Sequence, residues 1–525
     1  MSSLLLHDLD WLTEYDLIRL KEWCPNLTAL TLPMNEIPTA TMALWCGALK
    51  NLKQLLLLSA PVDSIEILRQ APGLDFLGLF NMSSPSMHML EYTEAVYACC
   101  PCLETFYLSL RAEDDNPSPV LISDDFFDNI KPAKAMKEIA FIPTDRLYHY
   151  PQLLMYVAYK YPCLRHLNMS QIGVRKFGNV KPTIDPFMLL AMRCPQLQGI
   201  TWRSLCHSGV RMYDALAASG TNVTKLHIDD YLGEGDVPPF RASNAYAALL
   251  RSALRHTVTD LTFQYNGCLA MAPDEILSDF GQLPGLTRLS LIGINQCPES
   301  ESYSVDLFLD CCPHLAELVL DRINLHTVAL EAQSTRHPLR RFEIMDGYLT
   351  KDVLPYFSAR CRHLMHVSLS VCTLEAHDHE IRIELPFSSL SFVYINNITG
   401  LVKGGIVKFV AYTGTLERSA VPPLGGTSAQ WHYIPKSRRS VWEPKRLAAP
   451  QINPLGRIEA RLAQQLVQLP RTGTFGIKKR YRHLCPDGKV SQPPIWNPLD
   501  LCHGYIHLVC LSVKHLYYNG KAVRT

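Results

Sequence analysis

Apolar residues recur along the chain in a short pattern that is clearest in the stretch CPHLAELVLDRINL, residues 312–325. Its apolar residues follow the order L-x-x-L-x-L-x-x-I-x-L. Leu318 and Leu320 alternate with Glu317 and Asp321, so the leucines point to one face of a short strand and the acidic residues to the other. One such unit cannot bury its own apolar face, and it therefore requires a copy of itself on each side.

Copies of this pattern fill most of the chain. They begin at Cys24, Leu49, Ala71, Cys100, Ala135, Tyr161, Cys194, Asn222, Thr257, Leu283, Cys312, His337, Cys361 and Phe387. The first apolar positions of the first and last copies are Leu27 and Leu390, which lie 363 residues apart over thirteen steps, or about 28 residues per copy. This period and this spacing are typical of leucine-rich repeats.

Helical patterns fill the segments between the predicted strands. Thr13–Trp23 has apolar residues three and four positions apart behind a capping Thr13, and residues 302–312 and 349–361 repeat the scheme. Alternating strands and helices with short links imply parallel strands. We therefore predict an α/β fold. It is a leucine-rich repeat solenoid, a horseshoe with parallel strands on its concave face and helices on its convex face, closed by a C-terminal capping segment.

Charge divides the chain into two predicted domains. Residues 1–403 contain 32 Lys+Arg and 44 Asp+Glu, a net charge of −12, whereas residues 404–525 contain 18 and 5, a net charge of +13. The composition also shifts near Gly400 towards Pro, Gly and Arg. We assign residues 1–403 to a solenoid of about fourteen repeats and residues 404–525 to a basic C-terminal segment.

The C-terminal segment has the elements expected of a cap. Val402–Gly414 has the pattern of a strand, and Asn453–Leu469 that of an amphipathic helix with Asn453 as its N-cap. Gly504–Val523 is a strand followed by a hairpin at Asn519-Gly520. Because an open sheet edge invites aggregation, we predict that Val509–Tyr517 pairs near the final repeats and that the protein is a monomer.

Two basic runs in this segment have two possible functions. Lys436–Arg446 and Ile477–His483 combine basic with aromatic residues, which suits nucleic-acid binding or nuclear import. The other interpretation is that both runs dock on the acidic array. We favour docking over nucleic-acid binding, because neither run sits in a recognisable nucleic-acid-binding module.

Cysteine and histidine patterns do not indicate a metal or redox centre. The chain has seventeen Cys, most of which sit at repeat junctions, where a small thiol packs well in a reduced protein. For the CxxC at Cys99–Cys102 we favour core packing over zinc or redox chemistry. For the HDHE run, residues 377–380, we favour a solvated loop over a metal site. We expect no metal and no cofactor.

The N-terminal sequence and the lengths of the apolar runs indicate the subcellular location of the protein. Met1–Leu12 has no basic residue before its apolar patch and carries two Asp, unlike a signal peptide. No apolar run approaches the ~18 residues of a membrane span. We therefore expect a protein of the cytoplasm, the nucleus or both, with no membrane partner.

The sequence predicts a binding surface rather than an active site. It contains no GxSxG, P-loop, HExxH, GxGxxG or kinase motif, so we expect no enzyme. Strand alternation assigns these residues to the concave face, where we expect a protein partner: Phe76, Phe80, Tyr107, His166, Asn168, Arg203, Lys225, His227, Asp229, Asp260, Gln264, Arg288, Glu317, Asp321, Arg341, Glu343, Phe392 and Tyr394. A mixed-charge centre with aromatic flanks suits protein recognition.

The sequence motif of the repeats resembles that of a known protein family. CPNL followed by L-x-L, with helices such as LTEYDLIRLKEW, resembles the repeat domain of F-box proteins, most closely the large fungal families of F-box-like proteins. Those arrays end in a basic stretch and a hairpin similar to Gly504–Val523. The resemblance implies a non-enzymatic module that recognises substrates for a ubiquitin ligase. Because only Met1–Leu12 precedes the first repeat helix, we expect the ligase adaptor to bind only if an F-box lies outside this chain. The alternative is a leucine-rich repeat scaffold or inhibitor unrelated to ubiquitin.

Overall fold

The computed structural model covers the 525-residue chain and describes most of its repeat elements. The described residues are 3–5, 19, 22, 24–32, 43, 46, 51–58, 64–83, 89–111, 126–127, 129–143, 150–170, 186–203, 209–229, 248–265, 273–293, 302–328, 336–375, 380–400, 409–416, 430–433, 453–455, 457–467, 505–519 and 521–523. They belong to two compact units, Met1–Gln264 and Tyr265–Thr525.

The first unit is a stack of parallel strands. The described strands are β1 (Ser3–Leu5), β2 (Ala29–Leu32), β3 (Gln54–Leu57), β4 (Phe76–Ser83), β5 (Thr105–Arg111), β6 (Glu138–Pro143), β7 (His166–Ser170), β8 (Gly199–Arg203), β9 (Lys225–Asp229) and β10 (Asp260–Tyr265). Each pairs in parallel with the next one along the chain. The described helices that connect them are α1 (Ser64–Arg69), α2 (Met89–Cys99), α3 (Tyr150–Lys160), α4 (Pro186–Arg193) and α5 (Gly209–Ala218), with a 3-10 turn at Ala253–His256.

The second unit continues the same repeat and adds a second ladder of strands. Its described strands begin with β11 (Arg288–Gly293), β12 (Ser302–Ser304), β13 (Glu317–Asp321), β14 (Asn324–His326), β15 (Arg341–Met345), β16 (Tyr348–Leu349), β17 (His366–Ser370), β18 (Thr373–Leu374), β19 (Glu380–Asn396) and β20 (Thr399–Gly400). The odd-numbered strands form one parallel sheet and the even-numbered strands a smaller one. Helices α6 (Pro273–Phe280), α7 (Val305–Cys311) and α8 (Val353–Arg360) lie between them in sequence.

These elements confirm the leucine-rich repeat fold. Each of the fourteen predicted copies contains a strand of the main parallel ladders, from β2 to β19. In β13, Leu318 and Leu320 are fully buried, whereas Glu317 and Val319 on the other face are only half-buried. The ladder places Leu318 beside Leu289 and Phe342 of the adjacent strands. Each apolar side chain is therefore covered by the repeats on either side.

The cysteines at repeat junctions pack as small buried side chains. The Cys194 thiol donates to the Tyr161 carbonyl (3.3 Å), and the Cys100 thiol donates to the Ala71 carbonyl (3.6 Å). Burial raises the pKa of Cys100 and of Cys194 to about 12, so both thiols stay protonated at neutral pH. Every cysteine that the structure describes is a free thiol, Cys99 and Cys102 included.

Buried cations also recur at the ends of helices. Lys160, the last residue of α3, is almost fully buried and pairs with Glu94 at 2.6 Å. Arg360, the last residue of α8, is buried likewise and pairs with Asp310 at 2.7 Å. Each cation reaches back to an acid on an earlier helix, so the two pairs connect helices that lie two repeats apart along the chain.

A left-handed residue follows the main strand in each late repeat. Arg322, Asp346, Val371, Asn397 and Asn519 have φ between +47° and +57°. The first three donate their backbone N–H to a carbonyl of the next strand at 2.8–2.9 Å. Because this conformation crowds the Cβ atom, Asn adopts it more readily than a β-branched residue does. After each of the first four residues the chain enters the smaller sheet, which the sequence did not predict, whereas after Asn519 it turns back into the strand Lys521–Ala522.

The C-terminal segment closes the second unit. Its described elements are β21 (Phe409–Leu416), β22 (Gln430–Tyr433), β23 (Asn453–Pro454), helix α9 (Arg457–Val467), β24 (Tyr505–Tyr518) and β25 (Lys521–Ala522). β24 lies between β19 and β21 and is parallel to both. β22 and β23 continue that sheet in antiparallel fashion, and β25 returns along β24 after Asn519. The predicted pairing of Val509–Tyr517 with the last repeat is therefore present.

Helix α9 packs on the sheet beside β24. Ala463 and Leu466 bury themselves against Ala411, Tyr433 and Tyr505, which come from β21, β22 and β24. Leu462 of the same helix is partly buried at this cluster. The contact that holds the cap is therefore hydrophobic.

Some predicted boundaries are wrong. Ser302–Ser304 is strand rather than helix, because it pairs with Asn324–His326 of the smaller sheet, and Ser304 instead caps α7. Asn453 is not a helix cap, since it pairs with Tyr433 and α9 begins at Arg457. The strand predicted to begin at Val402 is described only from Phe409.

Other predictions fall outside the described residues or concern a part of the chain that was not assigned. The strand β1 lies in the N-terminal stretch that received no element. The predicted helix Thr13–Trp23 lies almost wholly outside the described residues, as do residues 377–379, Lys436–Arg446 and Ile477–His483. The domain boundary at residue 403 stays a prediction.

The left-handed turn makes a testable prediction. Val371 is β-branched, has φ +56° and is 46% exposed, so its side chain contributes little burial to offset the strain. We expect Val371→Asn to raise the free energy of unfolding by about 0.5–1 kcal/mol, measured by urea denaturation. Val319→Asn, in the middle of β13, is the control and should destabilise. Equal destabilisation by both variants would show that the Val371 backbone is not strained.

Candidate binding surface

The first, third and fifth residues of each repeat strand line the side of the sheet opposite the buried leucine rows. We call this side the strand face. The register places all eighteen predicted site residues there, because pairing aligns Phe76 with Glu138, His166 and Lys225 along the first row and Arg288 with Phe392 in the second unit. Their role in binding stays a prediction. Of Arg203 and Asp229 the structure describes the backbone alone.

An aromatic pair marks the strand face of the first unit. The Phe76 and Tyr107 rings meet edge to face with centroids 5.5 Å apart. The Tyr107 hydroxyl donates to Glu138 at 2.6 Å, and burial together with this carboxylate raises the pKa of Tyr107. Phe80, at the fifth position of β4, is half-buried. Glu138 was not among the predicted residues, although it stands at the first position of β6.

The central strands of the first unit carry smaller and more polar groups. His166 lies over Gly199, where a Cβ atom would come within 2.5 Å of its Nδ1 atom. The Asn168 Oδ1 atom is buried and has no hydrogen-bond partner among the described residues. Lys225 is exposed, and its strand neighbour Asp260 is half-buried. Gln264 and His227, at the fifth and third positions of their strands, are half-buried.

Ion pairs lie on the strand face of the second unit. Arg288 of β11 and Glu317 of β13 approach to 3.6 Å, and Arg341 and Glu343, both on β15, to 2.8 Å. The His366 Nε2 atom lies 2.9 Å from Glu343. Burial lowers the pKa of His366 in spite of this carboxylate, so its neutral imidazole donates from Nε2 at neutral pH. These charges neutralise one another within the surface.

Asp321 differs from the other predicted face residues because it is 91% buried. Burial raises the pKa of its carboxyl group, with Arg322 at 3.6 Å opposing the shift. A partner could therefore reach little of Asp321. Strand alternation alone does not report this burial.

Four aromatic side chains form a continuous group on the last strands. The His366 ring stacks on Phe392 with centroids 4.5 Å apart and an angle of 8°. Phe392 also contacts Tyr394 (6.5 Å) and Tyr517 (5.2 Å). We call these four residues the aromatic cluster. They come from β17, β19 and β24, and the register places Tyr394 opposite Tyr517.

Sequence reasoning found only half of the aromatic cluster. Phe392 and Tyr394 were predicted from alternation in their own strand. His366 stands at the first position of its repeat, so the same rule could have found it. Tyr517 could not be found in this way, because its place depends on the pairing of β24 with a strand more than a hundred residues earlier.

A hydrogen-bonded relay fastens β24 on both sides. The His507 Nδ1 atom lies 2.7 Å from Glu380 of β19, and its Nε2 atom lies 2.9 Å from the Thr413 hydroxyl of β21. Hydroxyl, imidazole and carboxylate in this order also occur in nucleophilic catalysis. Here each bond crosses from one strand to the next. The bond to His507 holds the pKa of Glu380 below its usual range.

A second histidine in this sheet is buried without a partner. His432 of β22 pairs with Val410 and Pro454, and Val410 pairs in turn with Ile506. Neither ring nitrogen of His432 has a hydrogen-bond partner in the described part of the chain. Burial lowers the pKa of His432 to about 4.

Within the described ranges, no three His, Cys, Asp or Glu residues are placed to hold a metal ion together. None of the described helices is long and apolar enough to span a bilayer.

Comparison with known proteins adds little to the geometry. No protein-family model matches the chain, and no curated protein matches it. Many solved structures are similar to it at low identity, and three of them are described here. The leucine-rich repeat domain of APL1B is 15% identical, with 70% of this chain and 82% of that chain covered and a TM-score of 0.26. The TLR13–ssRNA13 complex is 13% identical, with 76% of this chain and 61% of that chain covered and a TM-score of 0.32. An internalin (inlF) from Listeria monocytogenes is 11% identical, with 75% of this chain and 90% of that chain covered and a TM-score of 0.31.

Because His432 is buried, we predict that the stability of the folded chain depends on pH. Because the pKa of His432 is about 4 in the folded state and about 6.5 when unfolded, the unfolded chain binds more protons between these values. This contribution is complete above pH 6.5 and is lost as the pH falls towards 4. We expect the free energy of unfolding to drop by about 2–3 kcal/mol between pH 7 and pH 4.5 through this group.

Denaturation of wild type and His432→Phe at both pH values measures this contribution. The variant keeps an aromatic ring in place, cannot be protonated and should lose less stability on acidification. His515→Phe, at an exposed position of β24, is the control and should behave like wild type. An unchanged pH dependence in His432→Phe would contradict the prediction.

Proposed function

We propose that this chain is a non-enzymatic binding protein that holds a protein partner on its strand face. The observation that carries the proposal is the aromatic cluster, His366, Phe392, Tyr394 and Tyr517, placed on three adjacent strands at one end of the ladder. Aromatic side chains supply a large share of the energy in protein interfaces. A rigid sheet is an extended platform that suits a folded partner or a long peptide.

The aromatic cluster is ordered before any partner arrives. Its rings stack on one another, and β17, β19 and β24 fix their backbones by parallel pairing. Binding therefore costs little side-chain entropy at these positions. The ion pairs of Arg341 and Glu343 beside the cluster form a polar surround, which suits a hot spot that needs to exclude water.

The finer proposal concerns the class of partner. We propose that the chain recognises substrates in the manner of an F-box protein, in the cytoplasm or nucleus. The resemblance of its repeat motif and of its basic C-terminal segment to those of F-box-like proteins supports this proposal. The alternative is a scaffold or inhibitor with no link to ubiquitin. The two differ in the fate of the partner. Depletion of this protein should raise the abundance of a ligase substrate, whereas the partner of a scaffold should keep its level.

Site-directed crosslinking tests the strand face. Met345 is 46% exposed at the fifth position of β15, so a photo-reactive amino acid there leaves the core intact. We expect a discrete crosslinked partner at residue 345 and none at Met192, which is 69% exposed on α4. The double variant Phe392→Ala, Tyr394→Ala should weaken binding of the captured partner by about 2 kcal/mol or more, measured by calorimetry.

The control for this experiment is the aromatic pair of the first unit. Phe76→Ala removes a ring of similar exposure that lies far from β19 in the strand order, and its effect shows whether the partner reaches the first unit. Crosslinks of equal yield at residues 345 and 192, or an unchanged affinity in the Phe392→Ala, Tyr394→Ala variant, would overturn the proposal.

A further inference from the structure

A second exposed surface begins where the chain enters β15 and β17. Arg340 and Met365 directly precede these two strands, and pairing brings them into line with Ser391 inside β19 and Lys514 inside β24. Met365 N–H donates to the Arg340 carbonyl (2.9 Å), and Ser391 N–H donates to the Met365 carbonyl (2.8 Å). Ser391 and Lys514 lie between two aligned pairs of β19 and β24. Arg340, Met365 and Lys514 are all exposed.

A parallel row of exposed residues runs beside this one. The guanidinium of Arg362 lies 4.1 Å from the centre of the Phe387 ring. Phe387 stands at the bulge of β19 between Leu385 and Ser389, where Leu511 of β24 is its counterpart. We call six residues of the two rows the basic rim. Three of them are positively charged, and the other three are exposed apolar residues. The six are Arg340, Met365, Lys514, Arg362, Phe387 and Leu511.

Exposure and charge set the basic rim apart from the strand face. Phe387 is 43% exposed, Met365 47% and Leu511 54%, which is unusual for large apolar side chains brought together on one surface. Among the described residues, Arg340 and Arg362 form no ion pair with a carboxylate. On the strand face of the second unit, in contrast, Arg288 pairs with Glu317 and Arg341 pairs with Glu343.

We propose that the basic rim binds a short acidic segment of a partner protein that also carries apolar side chains. The arginines would pair with its carboxylates, and Phe387, Leu511 and Met365 would cover its apolar groups. Arg362 is suited to this task because its stacking on Phe387 holds the guanidinium flat and leaves its N–H edges to donate to a carboxylate.

The apolar side chains favour a short acidic segment with apolar residues over a nucleic acid. Of the three exposed apolar side chains, Met365 and Leu511 offer no flat ring on which bases stack, and only Phe387 does. A peptide with apolar side chains of its own covers all three. The inference goes beyond the proposed function, because the basic rim and the aromatic cluster share no residue.

Fluorescence anisotropy with synthetic probes tests this proposal on the full chain. The first probe is a labelled twelve-residue peptide that alternates Glu and Asp with Leu and Phe. The second has the same charge but Ser in place of Leu and Phe, and the third is a twelve-nucleotide single-stranded oligothymidylate. We expect the first probe to bind most tightly, with an affinity that falls as salt is added.

Variants of the two rows separate the charge from the apolar contribution. Arg340→Glu, Arg362→Glu should raise the Kd of the first probe by about tenfold or more. Phe387→Ser, Leu511→Ser should raise the Kd of the first probe and leave that of the second unchanged. Both double variants change exposed side chains, and thermal melts check that they remain folded.

Arg165→Glu is the matched control. Arg165 is exposed and precedes β7 as Arg340 precedes β15, and both donate their N–H to the strand before, at 2.7 and 2.8 Å. Reversing the charge of Arg165 should change the Kd of the first probe by no more than about twofold relative to wild type. An effect as large as that of Arg340→Glu, Arg362→Glu would overturn the proposal, and so would tighter binding of the oligothymidylate. If the Phe392→Ala variant no longer bound the first probe, the proposal would also be overturned, because the peptide would then bind at the strand face.

Discussion

Neighbour-dependent burial is the constraint on which the rest of this structure depends. A strand such as β13 has two leucines on one face, and they leave water only when strands on both sides cover them. The constraint repeats along the ladder and ends at the last strand, whose outer edge would stay open. The chain meets it by inserting β24 beside β19, with β21 beyond it and helix α9 packed on the sheet. Closing the ladder is thus a matter of supplying one more covering strand.

Function follows from what this constraint leaves free. The second and fourth strand positions are committed to the core, so recognition falls to the first, third and fifth. The cap joins both roles, because the strand that covers the last leucines also brings Tyr517 to Phe392. The same insertion exposes Leu511, in the middle of β24, opposite the bulge that carries Phe387. A single added strand therefore completes the core, the aromatic cluster and the basic rim, and loss of the cap would affect all three.

Much of the fold could be predicted because its information is local. The spacing around Leu318 and Leu320 repeats fourteen times, and each copy contains a strand. The smaller sheet was missed because its strands β12, β14, β16, β18 and β20 are two or three residues long and carry no alternation of their own. The insertion of β24 between β19 and β21 was missed in its detail, since register between Glu380 and Tyr505 is set by packing and not by spacing. The same limit hid His507 and His432, whose chemistry comes from neighbours distant in sequence.

The central claim is that residues alternate between a core shared with neighbouring repeats and a free strand face. Two adjacent residues of β13 test it most directly, Leu318 at 0% exposure and half-buried Val319. The measurement is the free energy of unfolding of Leu318→Asp and Val319→Asp by urea denaturation at pH 7. The account predicts a loss of about 4 kcal/mol or more for Leu318→Asp, because a charge is placed in the core, and about 1 kcal/mol for Val319→Asp. Equal losses in the two variants, or wild-type stability in Leu318→Asp, would contradict it.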